Sequence, residues 1–171
     1  MKNSNAVLKL PTNRISELPF SSLNCEEKDF LIENALSILA DKHMKGSDIL
    51  CSPRDTHAFL RIQLAEQRNE VFGVLFLDNK HRLISNEILF NGTIDGTSVY
   101  PRVIAMHCLD KNSAAIVIYH NHPSGDCKPS RADKSITSRI KESLALLDVR
   151  LLDHIIVSSS ESFSFAEQGL L

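Results

Sequence analysis

The segment "YHNHPSGDCKPSRAD", residues 119–133, holds two histidines, two prolines, a serine-glycine pair and two aspartates directly after the apolar run "AAIVIY". His120 and His122 stand two residues apart at the end of that run. If the run is a β-strand, its period of two puts both imidazoles on one face. Neutral imidazole is the commonest zinc ligand. Pro123, Ser124 and Gly125 permit a sharp turn, and Ser130 can then open a helix with Asp133 in its first turn. Helical side chains tilt toward the N-terminus, so the Asp133 carboxylate aims back at the histidine loop. Two imidazoles and one carboxylate, with a fourth position open, are the donor set of a catalytic zinc site. Zinc brings the pKa of its water toward ~7 and so yields a nucleophile at neutral pH. Such chemistry also needs a base and a donor for the developing oxyanion.

Each part has an ordinary structural explanation. His-x-His pairs arise by chance on strands, Ser130-x-x-Asp133 is also a helix capping box, and "PSG" is a common turn. The conjunction of a buried strand, two histidines at its end and an acid on the next helix is what favours chemistry.

The surrounding elements must position these groups. Residues 1–22 carry Pro11, Pro19 and several serines without periodicity, which predicts an extended or poorly ordered arm. A helix follows, capped by Asn24 with Glu27 three residues on, striped by Leu31, Ala35, Ile38 and Leu39, and stopping near Gly46. Ser52 and Pro53 open a second helix with Asp55 placed for a capping box. "EVFGVLFLD", residues 70–78, reads as a strand buried on both faces, and "NKH" turns the chain into a partner strand, "RLISNEILF". "NGTIDGTSV" is a loop, and Pro101 opens a helix ending near Asn112. After "AAIVIY" and the helix capped by Ser130, "VRLLDHIIVSS" and "SFSFAEQ" supply the last strands. From Glu70 the order β-β-α-β-α-β-β predicts an α/β fold with a mixed sheet.

The chain has 171 residues, 43% of them hydrophobic, and a net charge of −2, so it suits one domain with a short appendage. That balance offers no overall basic footprint for nucleic acid. Cys25, Cys51, Cys108 and Cys127 form no CxxC pair, which argues against a thiolate zinc knuckle and for free thiols in a reducing cytoplasm. Neither a signal peptide nor an apolar run long enough to span a bilayer is present in the sequence. Consecutive "HNH" is not the spread-out arrangement of an HNH nuclease. A zinc deaminase would need His-x-Glu and Pro-Cys-x-x-Cys, whereas His122 stands at the Glu position.

His120-x-His122, seven residues, Ser130, two residues and Asp133 resemble the JAMM (MPN+) metalloprotease motif, with no position missing. "HNHPSG…PSRAD", "GT…VYPR" and "DHIIV" resemble its RadC-like branch more closely still, from about Ser52 to the C-terminus. The resemblance implies a JAMM/MPN-like mixed β-sheet flanked by helices at residues 51–171, after a short helical N-terminal region at 1–50. It implies one zinc ion on His120, His122 and Asp133, with Ser130 as the oxyanion-stabilising hydroxyl and an upstream glutamate polarising the water. Glu70 matches that glutamate, because "EVFGVLFLD" aligns with the family's opening strand.

Glu70 also begins a strand apolar on both faces, where partial desolvation suits a proton acceptor, whereas Glu87 lies among more polar neighbours. The implied activity is zinc-dependent hydrolysis of a peptide or isopeptide amide in a protein or peptide substrate. A DNA-repair accessory with a vestigial metal site is the alternative, and the complete ligand set argues against it. Longer RadC-like proteins carry a helix-hairpin-helix-like region. Residues 1–50 here are short and lack its Gly-x-Gly hairpin, so DNA contact by that route is not expected. Smaller candidates are Asp153 or His154 orienting a ligand, Cys127 as a soft extra ligand, and Lys128 and Arg131 steering an acidic substrate. His43, His57, His81 and His107 read as surface or packing residues.

Overall fold

A computed structural model of the chain describes residues 23–44, 53–65, 67–92, 98–159 and 161–171. The expected arm at 1–22, the stop at Gly46, the cap at Ser52, the side chain of Leu39 and residues 93–97 of the expected loop lie outside the described residues. Contacts divide the chain into two units, Met1–Ala35 and Leu36–Leu171.

Helix α1, Cys25–Met44, begins in the expected capping box. The Glu27 N–H donates to Asn24 Oδ1 at 2.9 Å, and the Asn24 N–H donates to Glu27 Oε2 at 3.0 Å. Of the expected stripe, Leu31 and Ala35 are half-buried, whereas Ile38 is exposed.

The second unit is built on a five-stranded mixed sheet. Its elements are α2 (Pro53–Leu64), β1 (Val71–Leu77), β2 (Leu83–Asn91), α3 (Pro101–Asp110), β3 (Ala115–Asn121), α4 (Arg131–Ala145), β4 (Arg150–Val157) and β5 (Ser162–Ser164). The spatial order is β2-β1-β3-β4-β5. β3 and β4 run parallel, with α4 as the crossover, and every other pair is antiparallel. The α/β reading with a mixed sheet therefore describes this chain.

Alternation along the two central strands sorts the core. Phe72, Val74 and Phe76 of β1 and Ile116 and Ile118 of β3 pack with Ile104 of α3 and Ile140 and Leu144 of α4. Val71, Leu75 and Leu77, with Ala115, Val117 and Tyr119, pack with Leu60 and Leu64 of α2. Every residue of β1 and β3 is buried, as a strand covered by helices on both faces requires. His120 continues the even-numbered face of β3, the one covered by α3 and α4.

β5 is shorter than "SFSFAEQ" suggested. After Ser164 the chain turns, because the Asp153 carboxylate captures it. The Ser164 hydroxyl donates to Asp153 Oδ2 at 2.5 Å and the Ala166 N–H to Oδ1 at 2.9 Å. Gly169, at φ 65°, completes the turn.

Gly73 faces Tyr119 across the β1–β3 pairing. A Cβ at Gly73 would lie 2.1 Å from Tyr119 Cζ, so the ring occupies the space a side chain would fill. The Tyr119 hydroxyl passes over β1 to donate to Asn86 Oδ1 of β2 at 2.6 Å. Burial pushes the phenol pKa upward, which keeps it a donor. Gly73→Ala should therefore lower unfolding free energy by about 1–3 kcal/mol through overpacking, measured by denaturant titration. An unchanged midpoint would show that the ring has another place to go.

Candidate metal centre

His120 is the sixth residue of β3 and is almost wholly buried. His122 lies just past the strand, and its N–H donates to the Val157 carbonyl at 2.8 Å, which extends the pairing with β4. The chain then turns, with Gly125 at φ 90° and its N–H donating to the His122 carbonyl at 3.1 Å. The turn brings the Asp126 carbonyl to 2.7 Å from His122 Nδ1. A carbonyl accepts only, so His122 carries its proton on Nδ1 and, as a neutral ring, presents a lone pair at Nε2.

Ser130 caps α4 in a full capping box. Its hydroxyl oxygen accepts from the Asp133 N–H at 3.1 Å, and its own N–H donates to Asp133 Oδ2 at 2.7 Å. The helix cap and the approach to the histidines share one carboxylate. Oδ2 closes the cap, and Oδ1 lies 3.3 Å from His120 Nε2. Oδ2 also stands 3.8 Å from His122 Nε2.

The Nε2 atoms of His120 and His122 are 2.9 Å apart, and the three ligand atoms all lie within 4.8 Å of one another. Donors about 2.0–2.1 Å from a tetrahedral ion lie roughly 3.3 Å apart, which is the scale seen here. A lone pair on His122 aimed at a second imidazole nitrogen and beside a carboxylate makes an electron-rich pocket suited to a cation. The donor set fits a divalent metal ion. Burial pushes the His120 pKa down to about 4, against the opposing pull of Asp133, and so favours the neutral ring that a metal needs.

The site opens into a cleft of about 560 Å³ whose walls include Glu70, Ser130 and Arg139. A second cleft of about 350 Å³, with Arg61 and Arg68 on its wall, meets the first at His122 and Pro123. Glu70 sits one residue before β1, half-buried, and its carbonyl accepts from the Gly92 N–H at 2.8 Å. Glu87 lies elsewhere. Its Oε1 accepts from Lys111 Nζ at 2.5 Å and its Oε2 lies 3.1 Å from His107 Nδ1, and the Lys111 ammonium holds its pKa below the usual range.

Asn121, between the two histidines, was not singled out by sequence. Its Oδ1 accepts from the Val71 N–H at 2.8 Å, and its amide donates to the Asn69 carbonyl at 3.0 Å. It thereby clamps the segment carrying Glu70 to the strand carrying His120. Alternation was the available signal, since the residue between two ligands must face the opposite way.

The minor candidates separate cleanly. His154 is buried with Nε2 2.8 Å from His120 Nδ1, whereas Asp153 binds the β5 turn. Burial, then the neighbouring imidazoles, press the His154 pKa well below its ordinary value. Cys127 packs with Ile156 and Phe165 and lies outside the group formed by His120, His122 and Asp133. Lys128 and Arg131 are exposed and lie outside the described lining of the first cleft. His57 lies 2.7 Å from Ser162 Oγ, His81 occupies the exposed turn before β2 and His107 meets Glu87; His43's side chain lies outside the described residues.

The family model for the RadC-like JAB domain matches residues 50–170. The chain belongs to the RadC-like JAB-domain family. It is 53% identical over 128 residues to a UPF0758 protein of Nitrosococcus oceani, covering 75% of this chain and 57% of that protein. It is 48% identical over 141 residues to a UPF0758 protein of Vibrio cholerae serotype O1, covering 82% and 88% respectively. This RadC-like chain thus spans little more than half of the first relative and most of the second. Among its described residues no helix is long and apolar enough to cross a membrane.

If the RadC-like domain holds a metal where the three donors meet, elemental analysis should find about one divalent ion per chain. His122→Ala should lose most of it, and retention of metal at parental affinity would refute the ligand set.

Proposed function

We propose that this RadC-like protein is a zinc-dependent hydrolase, a metallopeptidase of the JAMM type that cleaves a peptide or isopeptide amide. The observation that carries the proposal is the meeting of two imidazole nitrogens and one carboxylate oxygen in a cleft whose wall also holds Glu70 and Ser130. His120, His122 and Asp133 would hold the zinc ion, which would supply Lewis acidity and lower the pKa of a water at neutral pH. The Glu70 carboxylate accepts a proton from the water that attacks the carbonyl carbon. It returns that proton to the amide nitrogen as the C–N bond breaks. Ser130 Oγ already accepts from the Asp133 N–H, which leaves its own proton free for the carbonyl oxygen as negative charge builds there.

A polypeptide substrate suits the two clefts that meet at His122, since they leave room for chain on both sides of a scissile amide. The first relative extends well beyond the matched region, so the activity of the whole protein is part of the proposal. A reducing compartment, the cytoplasm, suits the free thiols of Cys25, Cys108 and Cys127. The net charge of −2 argues against nucleic acid as the main partner.

Two measurements test this reading. Glu70→Gln should keep fold and zinc yet lose about 10²-fold or more in turnover in a peptide-library cleavage assay, while Glu87→Gln stays near parental turnover. The reverse pattern would move the base to Glu87. Fluorescence anisotropy should show at most weak, strongly salt-sensitive DNA binding; sub-micromolar affinity at physiological salt would favour a DNA-repair role.

A further inference from the structure

We propose that Thr137 and His154 are positioning residues that hold His120 in the one tautomer able to bind a metal ion. The inference rests on the reading of His120, His122 and Asp133 as a metal site. It adds how the first of those ligands is kept competent.

Three short contacts form a chain. Thr137 Oγ1 lies 2.5 Å from the Asp133 carbonyl oxygen and 2.6 Å from His154 Nδ1. His154 Nε2 lies 2.8 Å from His120 Nδ1. Proton counting fixes every direction. A carbonyl accepts only, so the single Thr137 proton goes to Asp133. Thr137 Oγ1 must then accept, which places the His154 proton on Nδ1. A neutral imidazole carries one N–H, so His154 Nε2 accepts from His120 Nδ1–H. The remaining nitrogen of His120, Nε2, is left as a lone pair facing Asp133 and His122.

Reversing any link reverses the outcome. With its proton on Nε2, His154 would donate to His120 Nδ1 and drive the His120 proton onto Nε2, where it blocks the ligand atom. A threonine bond to the carbonyl four residues back is common in helices and signifies nothing alone. Here the same oxygen also meets a buried imidazole that meets a ligand. His154, Thr137 and His120 are all buried, out of reach of bulk solvent. The chain also ties two ligands from different elements together, since Thr137 binds the backbone of Asp133 on α4 and, through His154 of β4, the ring of His120 on β3.

Thr137→Val deletes the hydroxyl at nearly constant shape, and Thr137→Ser restores it. Long-range ¹H–¹⁵N correlation spectra of metal-free protein should show His120 and His154 protonated at Nδ1 in the parent. In Thr137→Val both rings should gain Nε2–H character. Zinc affinity, measured by competition with a chromophoric chelator, should fall about 10- to 100-fold in Thr137→Val and recover in Thr137→Ser. Unchanged tautomers and affinity in a folded Thr137→Val would overturn the proposal. Should that variant fail to fold, a parent spectrum with His154 protonated at Nε2 overturns it equally. Failure of the metal-site reading is distinguishable: His122→Ala would then keep its zinc, whatever the tautomer spectra show.

Discussion

Parallel pairing of β3 with β4 is the constraint on which the site depends. Two adjacent parallel strands cannot be joined by a hairpin, so the chain must leave the end of β3 and travel back before β4 can begin. The return is made by α4, and its first turn must therefore stand beside the last residues of β3. That juxtaposition brings Asp133 over His120 although thirteen positions separate them. It also puts a helix N-terminus, where backbone N–H groups favour negative charge, beside the carboxylate that needs holding. The carboxyl edge of a parallel strand is where α/β sheets generally place their ligands.

The two faces of β3 then take different tasks. Its α2 side ends in Tyr119 and Asn121, which fasten the strand to β2 and to the segment before β1. Its α3/α4 side ends in imidazoles. Residues that tie strands together and candidate metal donors alternate because a strand offers alternate sides, and the packed helices behind each side keep both sets still. Among carboxylates the same separation holds: Glu87 is neutralised by Lys111, whereas Glu70 faces the cleft.

Much of this was legible in the sequence where the signal was local. The apolar runs gave β1 and β3, the Asn24–Glu27 and Ser130–Asp133 spacings gave two helix starts, and the histidine pair with its distant aspartate outlined the donor set. The strand order was not legible, because it is decided by pairings between segments far apart. Thr137 reads as one more helical residue until α4 is laid against β4. Gly73 shows no turn signal, since what demands it is a tyrosine ring arriving from another strand. Cys127 sits inside the loop in sequence but in a core in space. The truncation of β5 depends on an aspartate on the neighbouring strand. Each of these is set by tertiary packing, to which a linear pattern is blind.

The fastening of Asp133 by the helix cap carries a thermodynamic consequence. In small domains whose ligands hang on loose chain, the metal supplies the folding free energy and the empty protein is unfolded. Here Asp133 is already fastened by the helix cap, His122 by the Asp126 carbonyl and His120 by the sheet. The conformational entropy of bringing the ligands together is lost during folding, before any ion arrives. An ion bound there as proposed would meet donors that need not be gathered, and its loading or removal would not unmake the protein.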